Sequence, residues 1–269
     1  MTRPRVMGIL NVTPDSFSDG GRHASVEGGL AQAMKLIGDG ADILDIGGES
    51  TRPGAEPVPA DEEIARTLPV IEAVHARWHG PISIDTMKPE VARAAMAAGA
   101  TIWNDVTALT FSPDSPAVAA DLGCEVVLMH MLGEPRSMQV EPRYDDVVAE
   151  VTAYLVERAR VAEAAGVSRG RITLDPGVGF GKTIEHNLAL IAGLGDLVRT
   201  GYPVLMGASR KRMIRNIDPS AVEAGDRLGG SLAIALDAAA RGASIVRVHD
   251  VRETVQALAM QAAIGGAAS

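Results

Sequence analysis

Eight short apolar runs recur along the 269 residues, and each is followed by a stretch with helical spacing, with no linker or break in composition between them. The runs are Arg5–Leu10, Asp42–Ile46, Pro81–Asp85, Thr101–Asn104, Glu125–His130, Arg171–Asp175, Pro203–Gly207 and Ser244–His249. They read as continuously apolar strands, which suits a parallel sheet covered on both faces. Helical spacing over Ser25–Gly40, Asp61–Trp78, Lys88–Ala98, Ser115–Leu122, Asp145–Ala165, Ile184–Val198, Asp226–Arg241 and Arg252–Ile264 supplies the cover, and the tail GGAAS reads as frayed. The expected fold is α/β, a (β/α)8 TIM barrel forming one domain over 1–269, in preference to a doubly wound open sheet. No Gly-x-Gly-x-x-Gly follows the first run, which argues further against a dinucleotide fold.

Composition removes several function classes. A net charge of -9 repels nucleic acid and anionic membranes, so neither is expected as a partner. Aromatic residues are only 3% of the chain, so the core must be aliphatic and packed with Ala. The single cysteine, Cys124, excludes an intrachain disulfide and fits a reducing compartment; it reads as a small buried apolar residue, not a nucleophile. The first apolar run stops at Asn11 and Pro14, too short for a signal peptide or a membrane span, so a cytoplasmic location is expected.

In a barrel, whatever ends the strands lies around one mouth, where active sites sit. Here those residues are Asn11, Gly47–Thr51, Asp85, Asn104, His130, Asp175, Ser209–Lys211, Arg247 and His249. An Asp at one strand end is commonly a cap or turn former, and a lone cation is commonly a surface charge. Polar residues at all of these ends together point to a site. Asp85, Asn104 and Asp175 offer acceptors to an amide- or guanidine-like edge. Arg52, Lys211, Arg247 and His249 offer cations to an anion, best a phosphate. Arg247 and His249 stand two apart and share a face. The densest stretch, RITLDPGVGFGKT from Arg171 to Thr183, ends like a phosphate-cradling P-loop, but Pro176 stands where that motif needs its first Gly. An ordinary strand-to-helix turn with spare glycines is the plain alternative.

The segments MGILNVTPDSFSDGG, DIGGESTRPGA, SIDT, WNDV, MHMLGEP…MQ, LDPGVGFGKT…HN, GASRK and RVHDV resemble the dihydropteroate synthase family, in order, from about residue 5 to 252. The resemblance implies a (β/α)8 barrel, usually a homodimer, using Mg²⁺. Such an enzyme joins a dihydropterin diphosphate to 4-aminobenzoate and is the target of sulfonamides, which mimic the arylamine. It implies a pterin edge held by Asp85, Asn104, Asp175 and Lys211, with Met131 as a wall or simply a core filler. It places the diphosphate against Asn11, Thr51, Arg247 and His249, with Asn11 also holding Mg²⁺. It places 4-aminobenzoate among Phe17, Thr51, Arg52, Pro53, Phe180, Ser209 and Lys211. Catalysis would fall to Arg247, His249, Lys211 and Asp85, which stabilise and position as diphosphate leaves early. No covalent nucleophile is evident: Cys124 has no base beside it, and Ser209 has no paired His in sequence. The loops Val12–His23 and Ser50–Pro59 are expected to be mobile lids.

Two other classes are weaker. A pterin-binding methyltransferase domain shares the Asp/Asn edge but has no use for the Ser-Arg-Lys and Arg-x-His cations. A non-catalytic pterin-binding homologue should have lost a motif residue, and none is missing; a structural protein would not need this rim.

Overall fold

A computed structural model describes residues 3–12, 21–50, 56–133, 138 and 141–267, and leaves the side chains of 21–25 undescribed. Its strands are β1 (Arg5–Asn11), β2 (Ile43–Gly47), β3 (Ile82–Asp85), β4 (Ile102–Asp105), β5 (Glu125–Met129), β6 (Ile172–Asp175), β7 (Leu205–Met206) and β8 (Ile245–Val248). All pair in parallel, in the order β6-β5-β4-β3-β2-β1-β8-β7. A single parallel bridge, Leu174 to Val204, joins β6 to the start of β7 and closes the sheet on itself. The chain is therefore a (β/α)8 barrel, and every expected strand is present.

The helices are α1 (Gly21–Gly38), α2 (Ala60–His75), α3 (Pro89–Ala97), α4 (Ser115–Leu122), α5 (Val147–Ala165), α6 (Ile184–Ala192), α7 (Leu194–Val198), α8 (Arg212–Ile217), α9 (Leu228–Ala240) and α10 (Val251–Ala267). Some depart from the sequence reading. The helix expected over Ile184–Val198 breaks at Gly193, where a Cβ would meet Val148 of α5 at 2.9 Å. One short helix, α8, was not foreseen; at six residues its periodicity is too brief to register. The last helix continues through Gly265 and Gly266 to Ala267 instead of fraying at the glycines, because each added residue gains one backbone bond for little local ordering. α1 also begins four residues before the expected Ser25.

The strands work as two-faced walls. One face packs on the helices through Val6, Leu44, Ile82, Ile84, Trp103, Leu128, Leu174 and Val246, all buried in the main core. The other faces the barrel axis, where Met7, Ile43, Ile102, Val127, Leu205 and Ile245 form a separate apolar plug. Side chains two apart on a strand share a face, so the residues above this plug are set by register. Ile43 is followed by Asp45, Ile102 by Asn104, and Ile245 by Arg247. Within one pleat the interior changes from apolar to charged.

Candidate active site

The charged layer is a connected network. Asp45 is fully buried. Its Oδ2 accepts from Arg247 Nε at 2.5 Å, and its two oxygens accept from Asn104 Nδ2 at 3.3 and 3.2 Å. Arg247 Nη2 reaches across to Asp85 Oδ2 at 2.6 Å. One guanidinium thus serves two carboxylates, and Asp85 Oδ1 is buried without a partner among the described residues. Burial pushes Asp85 up to about 7; the Arg247 charge opposes this, and the like charge of Asp45 reinforces it. A buried orphan oxygen aimed into a polar layer is an acceptor waiting for a donor.

Asp175 stands at the end of β6, also buried, with Oδ1 accepting from Gly177 N at 2.7 Å. Burial raises its pKa, against the backbone N–H and the charges of Lys211, Arg247 and Lys182. Lys211 donates to the Val178 carbonyl and lies 4.1 Å from the centre of the Phe180 ring, a cation–π contact. Burial pushes Lys211 down to about 8. The loop between β6 and α6 can follow this path only with glycine at 177: its φ is +66°, and a Cβ there would lie 1.9 Å from the His130 carbonyl oxygen.

Several sequence expectations change in detail. The ammonium of Lys182 turns under its loop to His130 and the Phe180 carbonyl, and Thr183 caps α6, so the P-loop decoy is excluded by geometry. His130 follows the end of β5 at the rim, but its ring is buried, 4.9 Å from that of Tyr154. Ser209, thought to lack a paired histidine, has one: its Oγ is 3.1 Å from His249 Nδ1 and accepts the His249 backbone N–H at 3.2 Å. That partner comes from the next strand end, forty residues on, which no sequence window could show. Arg247 is committed to Asp45 and Asp85, deep in the mouth, through Nε and Nη2. Asn11 is exposed at the end of β1, opposite Gly47, and Met131 is half-buried after β5. Phe17, Thr51, Arg52 and Pro53, with residues 13–20 and 51–55 of the two expected lids, lie outside the described residues.

Asp45 was missed. Inside DILDI it reads as one polar letter in an apolar run, and the signal was its face: it shares one with Ile43, which points to the axis. A second missed group holds the base of the β2–α2 connection. Lys88 Nζ donates to Glu49 Oε2 and to the fully buried Glu63 Oε2, the latter at 2.5 Å, and Glu49 Oε1 accepts from Val58 N at 3.2 Å.

No group of three or more His, Cys, Asp or Glu residues able to hold a metal ion occurs among the described residues. The neutral amide of Asn11 at the rim fits a hard cation that brings most of its ligands with it, and does not fit a protein cage.

The sequence profile of the pterin binding enzyme family matches residues 7–249. A dihydropteroate synthase from Escherichia coli K12 is 49% identical over 261 residues, covering 96% of this chain and 90% of that one. The Xanthomonas albilineans dihydropteroate synthase with 4-aminobenzoic acid is 53% identical, with a TM-score of 0.92 over 98% of this chain and 93% of its own. The same enzyme in complex with 7,8-dihydropteroate gives 50% identity and a TM-score of 0.88, over 98% and 94%. With a buried donor–acceptor layer at the mouth of the same barrel, this chain belongs to the dihydropteroate synthase family of pterin binding enzymes.

Proposed function

We infer that this chain condenses (7,8-dihydropterin-6-yl)methyl diphosphate with 4-aminobenzoate, giving 7,8-dihydropteroate and diphosphate. The observation that carries the reading is the layer of Asp45, Asp85, Asn104, Asp175, Lys211 and Arg247 above an apolar plug. A flat, donor-rich heterocycle laid on this layer meets the unpartnered Asp85 Oδ1 and the Asp175 carboxylate, and leaving either unpaired would cost affinity.

In the reaction the arylamine nitrogen bonds to the pterin methylene carbon. The carbon–oxygen bond to diphosphate breaks with its electron pair on oxygen, and the amine gives up a proton. Asp85 and Asp175 orient the ring. Arg247, held by two carboxylates, adds positive charge below the methylene, and His249, just past the end of β8, continues it toward the rim. The Ser209 hydroxyl fixes the His249 ring through Nδ1. Lys211 and Phe180 form one wall for the arylamine, with Thr51, Arg52, Pro53 and Phe17 assigned to the rest. Asn11, with Thr51, would hold the diphosphate and its Mg²⁺, which supplies charge neutralisation to the departing oxygen.

The reading extends to a homodimer in the cytoplasm. Exposed Leu188, Ile217, Val222, Met260 and Ile264 on the outer helices and the loop after α8 support self-association, and the buried free Cys124 supports a reducing compartment. No helix among the described residues is long and apolar enough to cross a membrane.

The test is release of diphosphate, with each substrate alone and with both, before and after EDTA. Release that requires both substrates and Mg²⁺ supports the reading. Rapid release from the pterin substrate alone, unaffected by 4-aminobenzoate, would make the chain a hydrolase instead.

A further inference from the structure

The lysine of the GFGKT stretch has no part in the chemistry above, yet its setting is costly. Lys182 is only 3% exposed. Among the described residues it forms no ion pair. Its ammonium donates to His130 Nδ1 at 2.9 Å, the Phe180 carbonyl at 2.9 Å and the His130 carbonyl at 3.2 Å. A buried cation with only neutral acceptors packs worse than an apolar side chain of equal size, so packing alone does not explain it.

What these bonds join is informative. The His130 backbone N–H donates to the Asp175 carbonyl at 3.0 Å, fixing the end of β5 to the end of β6. Gly177 runs against the His130 carbonyl. The turn that follows carries the Gly177 N–H to Asp175, the Val178 carbonyl that receives Lys211, and the Phe180 ring under that lysine. Lys182 therefore ties both ends of the turn to one histidine. Burial, with the facing ammonium, pushes His130 down to about 3, so its ring is neutral; Nδ1 accepts and the hydrogen sits on Nε2. Burial also pushes Lys182 down to about 7, while Asp175 pulls it the other way.

We propose that Lys182, acting through His130, is a positioning residue for pterin binding: its ammonium pins the β6–α6 loop to the end of β5 and adds its charge to the field at Asp175. The proposal rests on the reading of Asp175 as the pterin carboxylate. The other charges facing Asp175 are Lys211 from the loop after β7 and Arg247 from β8, itself paired with Asp45 of β2 and Asp85 of β3. All three cations favour the carboxylate against burial. Removing Lys182 therefore makes Asp175 easier to protonate.

The experiment is calorimetric titration of the full chain with the pterin diphosphate between pH 5 and pH 8, for wild type, Lys182→Met and Lys182→Gln. Circular dichroism checks the fold. Lys182→Met is expected to weaken binding about ten- to a hundredfold and to move its acid limb to higher pH. Lys182→Gln keeps N–H donors without charge, so it should recover affinity at high pH while retaining the shifted limb. Affinity of folded Lys182→Met within about twofold of wild type, or an unmoved acid limb in either folded variant, overturns the proposal. If Lys182→Met does not fold, Lys182→Gln decides by the position of its acid limb. If neither folds, Lys182 is a structural tether and the positioning role fails. A wild-type chain that binds no pterin diphosphate overturns the underlying site reading instead.

Discussion

Asp45 and Asp85 divide one guanidinium between them, and their different surroundings set different roles. Asp45 has both oxygens engaged: each takes Asn104 Nδ2, and Oδ2 also takes Arg247 Nε. Removing it leaves the buried Arg247 with one carboxylate, Asp85, in place of two. Asp45→Ala is expected to cost about 3 kcal/mol in urea unfolding and to lower kcat/KM as well, because Arg247 loses its aim. Asp85 keeps one oxygen unpartnered and is held up near 7. Its ordinary value is 3.8, so between 3.8 and 7 the folded protein keeps a proton that the unfolded chain gives up. That contribution to stability is present at low pH and is lost as pH rises through 7. Asp85→Asn carries no such proton. Urea melts should therefore show the variant gaining on wild type between pH 5 and pH 8; a constant difference would mean that Asp85 is ionised throughout.

At the scale of elements, the β6–α6 loop shows how a turn specifies a site. Gly177 passes so close to the His130 carbonyl that no side chain fits, and its φ lies in the left-handed region. Gly177→Ala should abolish pterin binding, because the loop must lift and carry the Gly177 N–H away from Asp175. Gly170→Ala is the matched control: nothing lies within 4 Å of its added methyl, and binding should be unchanged. Loss of binding in both would show that the assay reports general fragility. The β4–α4 connection uses another device. Ala108 and Leu109 both have positive φ (53° and 61°), held by Asp105, which accepts from Leu109 N at 2.9 Å, and by Arg158 of α5, which donates to both carbonyls at 2.8 and 3.1 Å. Nothing in the letters V-T-A-L-T announces a left-handed pair, since neither residue is Gly or Asn.

For the whole molecule, strand number and direction were legible because a parallel sheet writes itself as apolar runs at regular intervals. The rim was legible because polar letters end those runs. Contacts closed across the barrel were not: Ser209 with His249, Arg247 with Asp45 and Asp85, and Lys88 with Glu49 and Glu63 join residues 25 to 202 positions apart. Sequence order carries no record of which of them meet. The barrel also has a weak seam. β7 is two residues long and meets β6 by one bridge, whereas β1 and β2 share five register pairs. Amide exchange should be fastest among the strands at Leu205 and Met206 and slowest in β1 and β2. Uniform exchange around the barrel would mean that the seam is as firm as the rest.

The central claim is that the buried polar layer reads a pterin and thereby directs dihydropteroate formation. The most direct measurement is product formation by wild type and Asp175→Ala, at equal folded concentration, with both substrates and Mg²⁺ saturating for the wild type. The account predicts dihydropteroate from the wild type and a loss of about a hundredfold or more in the variant, which gives up a two-point carboxylate contact in a buried site. Equal rates would remove Asp175 from the pterin edge and contradict the account.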